Sequence, residues 1–414
     1  MTMISDAILY DAYVYLLSRA LVVRQEQTDL GADGAGYNRV KYNPVGSADF
    51  VNPNLDVAYL ECWFGVDDNS AALLTVPQVE GRYYTAQIID EWGEVITNIN
   101  ERNYPLNPSG LFALVTPGSG VAIPDGAVRV ELHGQKAKML ARVELQTDSD
   151  AAVALQKQFT VTVQGDPDIP GAIDLPGFDN VALIGVEMFD HADALLESAM
   201  DVCPLAAQMQ AQVRAIALAI ADPAERARID GQLRGKIVPD FLKAAVTTAG
   251  KYQSGWLGVL VAGNYGAEYQ IRTAANLVGI WANASSEVIY FVGTRDAAGQ
   301  PLAGDKAYKL SFDPAALPSS VVDGYWSVIL VDLPDYRVVP NDLSRFNFNS
   351  YSPLETGEDG SLVIHVAPEP PAGVPQANWL PSPKGKGFSL TFRTYVPRDI
   401  VKTGEWFPPA PAQA

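Results

Sequence analysis

The sequence predicts a mainly β fold with a helical insertion (α+β): two antiparallel β-sandwich or jelly-roll-like domains separated by a helical segment. Three observations predict it. Short apolar runs broken by turn residues fill positions 57–163, and no crossover helices lie between them, which favours antiparallel sheets over a parallel α/β sheet. Helical periodicity then takes over from Glu187 to Ala249. After Ser286 the short strands return. With 414 residues the chain is too long for one ordinary core, since cores stop growing beyond roughly 250–300 residues. The expected division is 1–170 for an N-terminal helix and first β-sandwich, 171–285 for a helical connection, and 286–414 for a second β-sandwich or jelly-roll-like unit.

Each element has its own signal. Ile4, Ile8, Leu9, Ala12, Leu16, Leu17 and Ala20 recur at helical spacing, with Ser5 and Asp6 suited to the first turn, so an amphipathic helix over 4–25 is expected to pack on the first domain. Leu30 to Gly36 reads as a loop: its glycines lack G-x-G-x-x-G order, no strand precedes them and no P-loop lysine follows. Strands are expected at Ala58–Val66 and Ala71–Val76, separated by an Asp67–Ser70 turn, and over a long Arg82–Trp92 run. The Gly165–Gly171 loop marks the change of texture. Helices follow at Glu187–Met200, Pro204–Ile220 and Ala224–Ala249, with Pro204 and Pro223 where first-turn prolines are tolerated, and then at Glu268–Ala282. The later strands are expected at Val288–Gly293, Tyr308–Phe312, Tyr325–Asp332, Ser361–Ala367 and Phe388–Val396. The Phe407-Pro408-Pro409 tail reads as polyproline II.

Composition narrows the function classes. A formal charge of −19, from 48 acidic and 29 basic side chains, repels phosphate backbones and anionic membrane surfaces. No nucleic acid or membrane partner is expected. The N-terminus lacks a basic signal-peptide region and no uncharged run approaches the roughly 20 residues that span a bilayer, which predicts a cytoplasmic protein. Cys62 and Cys203 fit no C-x-x-C pattern, and free buried thiols are expected ahead of a single bridge. His133, His191 and His365 form no H-x-H or H-E-x-x-H group, so neither a metal nor any other cofactor is expected. No G-x-S-x-G elbow exists, and Gly231 to Lys236 falls one residue short of a P-loop.

Two motif sets resemble known domains. Asn52-Pro53-Asn54-Leu55-Asp56 with Tyr59, Val76-Pro77, Gly81-Arg82-Tyr83-Tyr84 and Gln87 to Asp90 resemble domain of unknown function 1254. Tyr325-Trp326-Ser327, Pro340-Asn341 with Arg345, Asp359 to Leu362, Asn378-Trp379-Leu380-Pro381, Arg393 to Pro397 and Gly404 to Trp406 resemble its companion, domain of unknown function 1214. The resemblance implies two β-rich domains with helices between them and supplies no activity. Val57 departs from it, standing where a threonine is usual, as does the segment Ile99 to Tyr104.

Candidate chemistry falls in two clusters. Asp56, Asp90 and Glu91 are expected to gather with Arg102 and Asn98 at one end of the first domain, supported by Asn54, Arg82 and Tyr84. Paired carboxylates in unequal environments divide general-acid and general-base duty, and arginine holds one member ionised. Asp56 as a turn residue and the others as structural pairs is the competing reading. The second cluster is Asn341, Arg345, Asn378, Trp379 and Arg393, where tryptophan stacking and forked hydrogen bonds suit a sugar or carboxylate. Its competitor is the fastening of long loops. The resulting expectation is a cofactor-independent hydrolase or lyase acting on a small polar or glycan-like substrate. The alternative is a non-catalytic ligand-binding or assembly protein, with self-association left open.

Overall fold

The computed structural model describes residues 4–46, 53–248 and 250–414, so Asn52 of the first motif lies outside the described residues. The first β region contains β1 (Lys41–Tyr42), β2 (Val57–Gly65), β3 (Ala71–Val76), β4 (Tyr84–Ile89), β5 (Val95–Ile99), β6 (Gly110–Val115), β7 (Val128–Glu131), β8 (Lys136–Glu144) and β9 (Thr160–Gln164). Sheet I has the order β1-β2-β8-β4-β5, and sheet II the order β7-β6-β3-β9. Pairings are antiparallel except β6 with β7. Strand alternation explains the packing: Leu60, Ile88 and Met139 of sheet I meet Leu74, Phe112 and Leu114 of sheet II in one apolar core.

The second β region contains β10 (Lys251–Gln253), β11 (Trp256–Val259), β12 (Val288–Gly293), β13 (Tyr308–Phe312), β14 (Trp326–Asp332), β15 (Asn347–Asn349), β16 (Leu362–Ala367), β17 (Trp379–Pro381), β18 (Phe388–Tyr395) and β19 (Ala412–Gln413). Sheet III runs β10-β11-β12-β18-β14-β15, and sheet IV runs β17-β16-β13-β19. Ile289, Phe291, Val328 and Phe392 face Leu310, Ile364 and Val366 across their core. The strands β10 and β11 come from a stretch whose sequence carries helical periodicity on both sides. They join sheet III through β12.

The main helices are α1 (Asp6–Leu30), α2 (Ser149–Gln156), α3 (Ala192–Glu197), α4 (Ala206–Ala219), α5 (Pro223–Gln232), α6 (Val238–Thr248) and α7 (Tyr269–Gly279). Helix α1 differs from its expected form. It continues past Gln25 to Leu30, and Tyr13 through Val23 are buried on every side, so it is a core helix and not a half-exposed amphipathic one. Its main neighbours are α4 and α7, within an apolar cluster that also takes Trp92. Toward the first β region, its Val22 packs with Trp63 and Ile89, and Leu30 lies against the same cluster. Among the described residues no helix is long and apolar enough to cross a membrane.

The third expected strand is also shorter than predicted: β4 covers Tyr84–Ile89, not Arg82–Trp92. Asp90 ends it, because its Oδ1 accepts from the amides of Trp92 (2.8 Å) and Glu94 (2.9 Å) and folds the chain into a turn. Gly93 completes that turn at φ 91°, where a Cβ would stand 2.5 Å from Asn276 Oδ1 on α7.

Strand β8 ties the layers together. Its Ala137, Met139, Ala141 and Val143 point into the first core, while Lys136, Lys138, Leu140, Arg142 and Glu144 take the opposite face. That face is covered as well. Helix α1 covers one end, where Lys136 and Lys138 reach Glu26 and Asp29. Sheet III covers the other, where Val57 and Tyr83 pack on Val288, Tyr325 and Tyr395.

Candidate functional site

The junction of sheets I and III is built from polar and aromatic side chains. Cross-strand register sets Tyr59 beside Arg142 and Arg142 beside Thr85 on sheet I. On sheet III it sets Tyr290 beside Arg393, Arg393 beside Ser327 and Ser327 beside Asn349. Tyr325 and Tyr395 stack with ring centroids 4.0 Å apart, and Tyr83 meets both edge-on at 5.8 and 5.3 Å. Burial raises the pKa of Tyr83 and Tyr325 well above 10, so both stay neutral hydroxyls.

A cleft of about 510 Å³ opens at the edge of this junction. Its polar walls come from Arg82, Glu101, Arg102, Glu144 and Gln146 on the first β region, with Asp323 and Tyr351 on the second. Arg102 is held by Glu287, through Nη2 to Oε2 at 2.6 Å and Nε to Oε1 at 3.2 Å, and lies over the Tyr83 ring. Tyr83 Oη and Asn100 Nδ2 also donate to Glu287, at 3.1 and 3.0 Å, so this carboxylate is fully engaged. Arg82 directs its Nη1 to the carbonyls of Glu144, Leu145 and Asp148.

Glu144 differs from Glu287. It is 3% exposed; its Oε2 accepts from the Tyr83 amide at 2.9 Å, while its Oε1 is buried with no hydrogen-bond partner. Burial raises its pKa above the usual carboxylate range, against the pull of the Tyr83 amide, Tyr351, Gln146 and Arg82. Tyr351 is pushed up to about 12 by burial and by Glu144.

The residues predicted from sequence are distributed as follows. Arg82 and Arg102 line the cleft; Asp56, Asp90 and Glu91 do not. Asp56 is buried in the junction, where Oδ1 accepts from Asn347 (2.7 Å) and Asn349 (2.9 Å) and burial raises its pKa, with Asn349, Ser327 and Arg393 opposing. Asn54 accepts from the Asp56 amide and donates to Tyr395 Oη at 2.6 Å. Asp90 pairs with His133 Nδ1 at 2.7 Å, and Glu91 pairs with Arg19 at 2.8 Å under the helical layer. The three carboxylates therefore do not gather with Arg102, because the Asp90 turn carries the chain away from the sheet junction. Asn98 bonds Thr85 inside sheet I, and Tyr84 points into the core with Oη donating to Pro108 O.

The second cluster also separates. Asn341 bonds the carbonyls of Val339 and Arg345, Arg345 those of Gln376 and Trp379, and Asn378 those of Glu355 and Val363. Trp379 Nε1 donates to Ala367 O. These four fasten loops around sheet IV, and none of them lines the cleft. Arg393 alone reaches the junction, with Nη2 donating to Pro53 O at 3.2 Å. Cys62 and Cys203 are free and buried. Glu144 was missed by sequence reasoning, although one signal marks it: Lys136, Lys138, Arg142 and Glu144 alternate with apolar residues on a strand of nine.

Two family models match the chain, each described as a protein of unknown function: DUF1254 over residues 37–163 and DUF1214 over residues 287–399. Among solved structures, the fold is similar to that of the VPA0106 protein from Vibrio parahaemolyticus, 17% identical with 99% of each chain covered and a TM-score of 0.67. An uncharacterised protein from Burkholderia cenocepacia is 12% identical over 97% of this chain and 87% of that one, with a TM-score of 0.46. No curated protein matches the chain. The mainly antiparallel architecture with inserted helices is thus shared with the Vibrio protein at full length.

Proposed function

For a chain that belongs to the family joining a DUF1254 domain to a DUF1214 domain, we propose that the cleft between sheets I and III takes a small polar or glycan-like molecule and that Glu144 acts on it by acid–base chemistry. The reaction class is a hydrolysis or an elimination. The observation that supports this reading is the Glu144 carboxyl: it lines the cleft, has a buried oxygen without a hydrogen-bond partner, and has its pKa raised by burial, the direction that suits a carboxyl for proton transfer. Arg82 and Arg102 supply donors for the oxygens of the substrate, and Tyr351 supplies a neutral hydroxyl. Glu144 takes the role that Asp56, Asp90 and Glu91 have in the sequence reading.

A panel of small polar compounds, sugars included, tests this by thermal shift and by product analysis. The expected result is one compound class that saturates the protein and is converted, with Glu144→Gln retaining binding and losing turnover by roughly 10²–10⁴-fold. Conversion by Glu144→Gln at the wild-type rate would remove the proposal. A second reading, non-catalytic binding, is favoured by the Asp90–His133 and Glu91–Arg19 pairs, which tie up two of the carboxylates in structural contacts. Saturable binding without conversion decides for it.

A further inference from the structure

Behind the cleft wall, Arg142 presents a separate problem of charge balance. It is 4% exposed, and its Nη1 donates to Gln87 Oε1 at 2.6 Å and to Leu140 O at 3.2 Å. Nε and Nη2 form no hydrogen bond with the described residues, and no carboxylate among them pairs with it. A buried guanidinium without a counter-ion is unfavourable, because it has lost its water without gaining an opposite charge. Its surroundings offset only part of that cost: the Tyr59 ring lies 5.5 Å from its centre.

Two tyrosines add to this, Tyr59 beside Arg142 on sheet I and Tyr290 on the facing sheet III. Tyr59 and Tyr290 keep part of their surface accessible, and among the described residues neither hydroxyl donates a hydrogen bond. Tyr290 also stands beside Arg393 in the register of sheet III, and burial raises its pKa against the fields of both Arg142 and Arg393. One guanidinium edge and two partly accessible tyrosines thus have donors to offer, with Tyr59 and Tyr290 packed in one cluster with the Tyr83 and Tyr395 rings. That set matches a planar anion with two oxygens on one carbon, because a guanidinium edge meets a carboxylate through parallel hydrogen bonds. Ring walls match an aromatic or apolar body behind it.

We propose that Arg142 anchors a second binding site, distinct from the Glu144 cleft, that receives the carboxylate of a small acid with an aromatic or apolar body, with Tyr59 and Tyr290 donating to the same group. The site does not depend on the acid–base reading of Glu144. Benzoate, acetate and inorganic phosphate serve as probes, titrated calorimetrically into the full-length protein. Benzoate is expected to bind saturably and more tightly than acetate. Arg142→Met weakens benzoate binding by roughly tenfold or more, the loss of a charge-assisted pair, and Tyr290→Phe weakens it by roughly 2–10-fold. Tyr290→Phe removes one oxygen and keeps the ring, so it reports even if Arg142→Met does not fold. No benzoate binding, phosphate bound in preference to both carboxylates, or unchanged benzoate affinity in Tyr290→Phe each overturns the proposal.

Discussion

The two ends of the covered face of sheet I solve the same problem in opposite ways. Under the helical layer, each buried cation meets a carboxylate. Lys136 pairs with Glu26 at 2.8 Å, Lys138 with Asp29 and Glu61 at 2.7 and 2.8 Å, and Arg19 with Glu91 at 2.8 Å. Arg272 of α7 pairs with Asp201 at 2.7 Å and Glu94 at 3.3 Å. Under sheet III the matching is incomplete. Arg102 has Glu287, yet Arg142 has an amide, a carbonyl and tyrosine rings, and Glu144 forms no ion pair among the described residues; buried oxygens without a hydrogen-bond partner occur at both ends, on Glu26 and Glu91 as on Glu144 and Asp56. Closed pairs make the helical end a fixed seam, since a lost partner leaves a bare charge in a low-dielectric interior. Unmatched groups are what a ligand can complete, and the proposed sites therefore lie at the other end.

The largest effect should come from breaking the seam. Arg272 has no exposed surface, and Arg272→Met leaves Asp201 and Glu94 without their cation. A loss of about 3–5 kcal/mol is expected in denaturant unfolding. A loss below about 1 kcal/mol would mean the seam is not held by charge. Arg142→Met should cost much less, about 1 kcal/mol or below, because the Gln87 and Leu140 oxygens lose a donor while an unbalanced buried charge is removed and no carboxylate is stranded. Equal losses in the two variants would erase the distinction between the ends.

The smallest and most diagnostic effect is the pH dependence of the seam. Burial raises Glu91 and Glu94 to about 7, against the opposing charges of Arg19 and Arg272. A carboxyl whose folded pKa lies above its unfolded value holds its proton in the folded state, so its contribution is present at low pH and is lost as pH rises through about 7. His133 acts in the same sense. Burial works against its charge, but the hydrogen bond and charge of Asp90 raise its pKa above 6.5. Stability should therefore fall as pH rises from about 5 to 8, and Glu91→Gln should flatten that slope. A slope unchanged in the variant would show that Glu91 titrates normally.

Some parts of this molecule are legible in its sequence and others are not. Strands such as Val288–Gly293 and Tyr308–Phe312 were readable to the residue because their ends are set by local turn chemistry. The end of β4 was not, because a polar side chain, Asp90, curls the chain there through its own backbone bonds, and a carboxylate also fits an alternating strand pattern. Helix α1 was legible as a helix, but its complete burial depends on α4 and α7, which lie far away in sequence. Arg82 and Arg102 could be singled out from the sequence, whereas Glu144 was marked only by its alternation with apolar residues on β8. Polar residues alternating on a strand ordinarily face water, and only the arrival of helix α1 at one end and sheet III at the other buries them. The loop-fastening roles of Asn341, Arg345, Asn378 and Trp379 follow from carbonyl partners that no local pattern encodes.

Strand β8 has a consequence for how this chain can change in length. Its apolar side fills the first core, and its charged side meets helix α1 at one end and sheet III at the other. A strand with one solvated face can absorb an added or lost residue by moving polar groups through water. Here a shift of one position would drive Lys136, Lys138, Arg142 and Glu144 into the apolar core and set alanines against Glu26 and Asp29. Insertions and deletions are therefore confined to the flanking turns, and three otherwise separate layers of the molecule are held to a common register by nine consecutive residues.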